Sequence, residues 1–239
     1  MVIIPLVVGV VLAGAQPIHI PLAVAWLSGY FAFFAAGLWL KAAPRRRRTY
    51  LAPLGTYGAI SGIATLLVVA WQPAVLRAAV AYVPLIAIAV WEAYHKRPRS
   101  ILSGEATTLA SAALVPVCAM AVRAPINWTA TILLALNFCG TIFYIKTLIR
   151  QRGSRSYYLG SIAYHAAALC AAVALTHNQE PSWVAWGSAA VFAVLLARAI
   201  IAPLPAFRGQ PTMSPKQAGR MEAAFTVAVV VLAIGSGLA

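Results

Sequence analysis

Apolar residues fall in blocks along this chain, each closed by a short polar break. The blocks lie at about 1–15, 21–40, 51–71, 74–94, 103–122, 128–148, 157–176, 183–201 and 217–237. An α-helix crossing a bilayer needs about 20 mostly apolar residues. The pattern therefore predicts an all-α, polytopic membrane bundle of about nine transmembrane helices in a single domain, 1–239. The first block is the shortest, and the third and fourth stand close together.

The polar breaks are of two kinds. Lys41 with Arg45–Arg48, Lys96-Arg97-Pro98-Arg99, Lys146 to Arg155, and Arg198 to Arg220 follow the even-numbered blocks and hold 16 of the 18 basic residues. The alternate breaks, near Gln16-Pro17, Gln72-Pro73, Ala124-Pro125 and His177 to Pro181, are almost free of them, with only Arg77 and Arg123 nearby. Basic loops stay in the cytoplasm, so the expected orientation is N-terminus in and C-terminus out. Trp71, Trp128, Trp183 and Trp186 fall near outer edges, and Trp39 and Trp91 near inner ones, as interfacial indoles should. Trp26, several residues into its block, is the exception.

Composition supports this picture and removes alternatives. The chain is 62% hydrophobic and 9% charged, with a mean hydropathy of +0.86. A net charge of +14 would suit a nucleic-acid binder, but the charges punctuate apolar blocks. Attraction to anionic lipid heads explains that placement, and no nucleic-acid partner is expected. There is no aspartate, and the glutamates are Glu92, Glu105, Glu180 and Glu222. Cys118, Cys139 and Cys170 sit inside apolar blocks without metal or redox spacing and read as small buried side chains. No metal site, cofactor, nucleotide loop or catalytic triad is expected. Met1–Ala15 lacks the basic flank of a signal peptide, so the expectation is either an abbreviated first helix or a natural start upstream of this Met1.

Two stretches point to a four-helix repeat over 1–100 and 101–201, with a terminal helix at 215–239. Phe34 to Lys41 closes the second block and is followed by Tyr50 and Tyr57; Phe138 to Lys146 closes the sixth and is followed by Tyr157 and Tyr164. Such repeats often build a site between halves. Gly58 and Gly62 form a GxxxG step that could mark a helix crossing or arise by chance in a Gly- and Ala-rich chain. Ser214-Pro215-Lys216-Gln217 reads as a capping box with proline at the first helical position.

Ionisable groups at membrane depth are costly and are candidates for function. The candidate ligand-binding residues are Lys41, Glu92, Glu105, Tyr144, Lys146 and His165, all towards the cytoplasmic ends of their blocks. Together they could line one cytoplasm-facing cavity. Each also has a plainer reading. Glu92 and Lys96 have the spacing of a surface pair, and Lys41 and Lys146 can snorkel to the headgroups. His165 is either a proton relay or a neutral histidine hydrogen-bonded to another helix. Asn137 reads as an interhelical hydrogen-bonding group, and Arg198 is one more charge at depth.

Met1-Val-Ile-Ile-Pro5-Leu-Val-Val-Gly9, Arg99-Ser100-Ile-Leu, and Tyr144-Ile-Lys146-Thr-Leu-Ile-Arg150-Gln-Arg152-Gly153 resemble the YwiC-like bacterial membrane proteins, as do Tyr164-His165 and the start of the Glu222-containing block. That resemblance implies a membrane location and supplies no residue roles. Its members usually carry a His-Gly-Ala-Trp-like motif just upstream of the segment that opens here. A more distant likeness is to the UbiA-type prenyltransferases, nine-helix proteins whose Asp-rich motifs bind diphosphate through magnesium. Here Lys41 and Lys146 stand at the matching helix ends, and no carboxylate does. The likeness thus implies the fold and a cavity for an isoprenoid or other anionic lipid, without magnesium chemistry. A small proton-coupled permease and a non-catalytic accessory subunit of a membrane complex are the competing readings.

Overall fold

The computed structural model describes residues 1–97, 100–211 and 213–238. Pro98 and Arg99, within the second basic break and the Arg99-Ser100-Ile-Leu likeness, lie outside the described residues. Among the described residues the regular elements are all helical. They are α1 (Ile4–Ala13), α2 (His19–Lys41), α3 (Pro44–Trp71), α4 (Ala79–Tyr94), α5 (Ile101–Ala112), α6 (Leu114–Ala121), α7 (Trp128–Ile145), α8 (Arg155–Thr176), α9 (Trp183–Ile201), α10 (Leu204–Phe207) and α11 (Pro215–Gly235). A 3₁₀ turn, Pro73–Ala78, leads into α4, and one π-helical turn, Lys146–Arg150, continues α7.

Among the described residues, eight helical stretches are long and apolar enough to cross a membrane, and they match the second to ninth apolar blocks. The polytopic helical bundle read from the sequence is therefore what the chain forms. The first block becomes only the ten residues of α1. At 1.5 Å per residue that is about 15 Å, half of a hydrocarbon core.

Local departures from the sequence pattern have physical causes. Arg45–Arg48 are the exposed first turn of α3 and not a loop, because Pro44 at the first helical position pre-sets the backbone. Arg47 lies over the Trp39 ring at 5.2 Å. The fifth block is two helices, broken at Ala113. Pro116 has no N–H to give to the carbonyl of residue 112, and its ring crowds that turn. The Trp26 indole, which the block edges do not explain, donates from Nε1 to the Val2 carbonyl at 2.8 Å. A Cβ added at Gly58 or Gly62 would meet nothing, so that GxxxG step is not a crossing point. Instead α2 and α3 meet where Ser61 Oγ donates to the Ala25 carbonyl at 2.9 Å, beside Gly29.

The chain divides into two compact units, Met1–Ile126 and Asn127–Ala239. In the first, α2 packs along α3, α4 along α5, and α1 along α6. A core of Leu6, Ile18, Leu22, Val68, Leu114 and Val117 joins them. Gly9 permits the close approach of α1, since a Cβ there would lie 2.8 Å from Cys118 Sγ and 3.1 Å from the Val115 backbone.

In the second unit, α7 packs on α8, α8 on α9, α9 on α11 and α11 on α7, which closes a ring of four helices. The predicted capping box is present at its basic end: Gln217 Oε1 accepts from Ser214 N at 3.0 Å, and Ser214 Oγ accepts from Gln217 N. At the other end Asn127 caps α7, accepting from Ala130 N at 2.8 Å, and its amide donates to Ser236 Oγ. Leu133, Leu134, Phe192 and Val229, fully buried, fill the interior towards that end.

Candidate functional site

Three consecutive turns of one α7 face carry Asn137, Thr141 and Tyr144, at the i, i+4 and i+7 spacing that keeps side chains together. Facing them are Glu222 and Thr226 of α11, also four residues apart, and Arg198 of α9. Both Arg198 and Glu222 are buried, their side chains 6% and 10% exposed, and they form a two-pronged ion pair. Arg198 Nη1 donates to Glu222 Oε1, and Nη2 donates to Oε2 at 3.2 Å. Taking both charges out of water is expensive, so the pair holds only with further partners. Thr141 Oγ1 donates to Glu222 Oε2 at 2.6 Å. The Arg198 guanidinium lies between two ring faces, Tyr144 at 4.2 Å and Phe225 at 4.8 Å. One turn further along, Asn137 Nδ2 donates to Thr226 Oγ1 at 3.4 Å, so Asn137 does act between helices.

On α8 the His165 ring is buried. Its Nδ1 donates to the Ser161 carbonyl at 2.7 Å, a partner on its own helix and not, as expected, on another. Because a carbonyl only accepts, Nδ1 carries the proton and Nε2 keeps a free lone pair. That Nε2 points at Gly140 of α7, where a Cβ would come within 3.1 Å. Within this one unit, Asn137 Oδ1, Tyr144 Oη, Ser161 Oγ, His165 Nε2, Ser188 Oγ and Arg198 Nε are buried without a hydrogen-bond partner among the described residues. Most buried polar atoms in proteins are paired, so several orphans in one bundle point to an interior made for something polar.

The six candidates from the sequence are divided equally. Lys41, Glu92 and Glu105 lie in the first unit; Tyr144, Lys146 and His165 lie in the second. Lys41 ends α2 and is exposed. Glu92 is buried but pairs with Arg97 at 3.4 Å and not with Lys96, whose positive φ of 57° turns the chain out of α4. Glu105 is half-buried on α5. Lys146, half-buried on the π turn, lies over the Tyr157 ring at 5.8 Å. Tyr144 joins the ion pair directly, and His165 lies in the same helical ring. Cys118 and Cys139 are buried as expected, whereas Cys170 is exposed.

Sequence reasoning did not select Glu222, Thr141 or Thr226, and it left Arg198 without a partner. The usable signal was charge: a carboxylate in the last block and an arginine in the eighth cannot both remain alone in hydrocarbon.

A family profile described as YwiC-like protein matches residues 1–119. An uncharacterized protein, YwiC, of Bacillus subtilis (strain 168) is 30% identical over 169 residues, which cover 69% of this chain and 70% of the relative. The chain belongs to the YwiC-like family. No solved structure matches it. The stretch matched by the YwiC-like profile ends in α6, so the polar cluster lies wholly beyond it.

Proposed function

We propose that this YwiC-like protein is a multi-pass protein of the bacterial cytoplasmic membrane that binds a lipid with an anionic head at the cytoplasmic end of its second unit. The supporting observation is a groove of about 520 Å³ where α9, α10 and α11 meet. Ala202, Pro205, Pro211, Met213 and Met221 give it apolar walls suited to an isoprenoid or acyl chain, and Arg220 and Gln217 supply donors for a phosphate or carboxylate head. Its residues belong to the last basic break, which the distribution of Lys and Arg assigns to the cytoplasm. Lys146, near the basic end of α7, is a further cation of the same unit for such a head. In this proposal the likeness to UbiA-type proteins extends to a multi-helix bundle and a lipid-facing cavity, with basic groups in place of magnesium.

The test is mass spectrometry of lipids that co-purify in mild detergent. Arg220→Gln and Lys146→Met should each weaken retention by about 1.5–3 kcal/mol, the usual loss for a hydrogen bond to a charged group. Unchanged retention in Arg220→Gln, or lipids in the proportions of the bulk membrane, would refute the groove as a site.

A second reading is a small proton-coupled permease. It is favoured by the buried Arg198–Glu222 pair and His165 inside one ring of membrane helices, the usual place for proton-relay groups. Acidification of proteoliposomes on addition of a transported solute would support it over lipid binding alone.

A further inference from the structure

We propose that Arg198 is an anion receptor kept closed by Glu222, and that a ligand's carboxylate or phosphate group enters together with one proton. This rests on the lipid reading above and names what happens at the inner end of that groove. Ala202 and Met221 line the groove. Ala202 lies one α9 turn beyond Arg198, its N–H donating to the Arg198 carbonyl at 2.9 Å, and Met221 adjoins Glu222. A buried cluster of Tyr144, Leu148, Ala199 and Ala218 packs against Ala202 and Met213 of the groove on one side, and its Tyr144 ring carries the Arg198 guanidinium on the other.

The ion pair has the features of an occupied oxyanion site. A guanidinium offers five N–H groups in a planar fork that fits two oxygens. Glu222 takes both Nη arms, while Arg198 Nε, on the edge of the fork, is unpaired among the described residues. The orphaned Tyr144 Oη, on the ring stacked against Arg198, is one more donor, and the Thr141 hydroxyl already serves an oxygen of Glu222. A ligand oxyanion in the place of the Glu222 carboxylate would meet the same groups, and would do so without new donors.

Charge balance sets the stoichiometry. Arg198 on α9 pairs with Glu222 and stacks on Tyr144 of α7, and His165 on α8 and Cys139 on α7 are further buried ionisable groups of the same unit. One permanent cation cannot neutralise two anions in a site that excludes water. Glu222 therefore leaves Arg198 as the neutral acid, taking its proton from solvent, while the ligand's charge replaces its own.

The experiment uses the full chain in dodecyl maltoside, weakly buffered, with a pH-indicator dye. The probe is decanesulfonate, an anion ionised at any working pH, so that any proton taken up belongs to the protein. Methanesulfonate is the chain-free arm. Saturable uptake of about one proton per bound decanesulfonate is expected, with tighter binding at pH 6 than at pH 8. Glu222→Gln should bind at least as tightly and take up no proton. Arg198→Met should bind about tenfold more weakly or worse, since it removes a charged donor. If that variant fails to fold, Arg198→Met/Glu222→Met removes both charges and serves the same comparison. Arg220→Gln tests the groove separately: weaker binding with the ratio still near one leaves both the groove and the exchange standing. Equal uptake with methanesulfonate keeps the exchange and replaces the lipid by a free anion. Binding without proton uptake, unchanged binding when Arg198 is lost, or no binding of either probe would overturn the proposal.

Discussion

Removing one member of the Arg198–Glu222 pair should cost far more than removing both. In Glu222→Met, Arg198 keeps its charge at any accessible pH in a place where its side chain is 6% exposed. In Arg198→Met, the carboxylate retains, among the described residues, the Thr141 hydroxyl at 2.6 Å. Leaving a buried charge unpaired costs about 3–5 kcal/mol. The Tyr144 and Phe225 faces offset part of this for the lone arginine, at about 0.5–2 kcal/mol each. Arg198→Met should thus lose about 3–5 kcal/mol, and Glu222→Met somewhat less. The double variant, Arg198→Met/Glu222→Met, fills the space with flexible apolar chains and should stand within about 1 kcal/mol of the parent, or above it. The assay is reversible unfolding in mixed dodecyl maltoside and dodecyl sulfate micelles, followed by tryptophan fluorescence. A coupling of several kcal/mol is expected. A coupling near 0.6 kcal/mol, the usual figure for hydrogen bonds between membrane helices, would refute the assignment of a true buried ion pair. So would additive losses in the double variant.

The remaining predictions are simpler. A fluorescent protein that matures only in the cytoplasm should glow when fused after Arg152 and stay dark after Ala239; a bright C-terminal fusion would overturn the expected orientation. Gly140→Leu should destabilise the second unit by about 1–3 kcal/mol in the same unfolding assay, because its side chain must displace the His165 and Tyr164 rings that a Cβ alone would meet at 3.1 and 3.3 Å. Gly58→Leu, which faces open space, should cost no more than a few tenths of a kcal/mol. Ser214→Ala should cost about 1 kcal/mol by removing the cap of α11, measured as a lower melting temperature.

The helical type and the second to ninth spans were legible from the sequence because they depend on local sums, whereas the first block yields only the ten-residue α1. Twenty consecutive apolar residues cannot leave hydrocarbon cheaply, whatever their neighbours, and their backbone must satisfy itself as a helix. The cap at Ser214 was legible for the same reason, since all its partners lie within three residues. Short-range geometry already blurred the rest: Pro44 carried α3 back through the arginines, and Pro116 split the fifth block.

Which charges meet was decided by tertiary structure alone. Glu92 finds Arg97 within its own turn, but Glu222 and Arg198 are separated by the loop containing α10, and Thr141 reaches Glu222 from 81 residues away. No periodicity within a single block records such a pairing, because the face that each helix turns inward depends on the helices beside it. Lys41 and Lys146, conspicuous in sequence as matching helix ends, fall in different units. The sequence by itself determined a multi-helix membrane protein with its charges at the block ends. The closure of α7, α8, α9 and α11 into a ring decided which polar groups share an interior, since only packing can make burying an arginine tolerable.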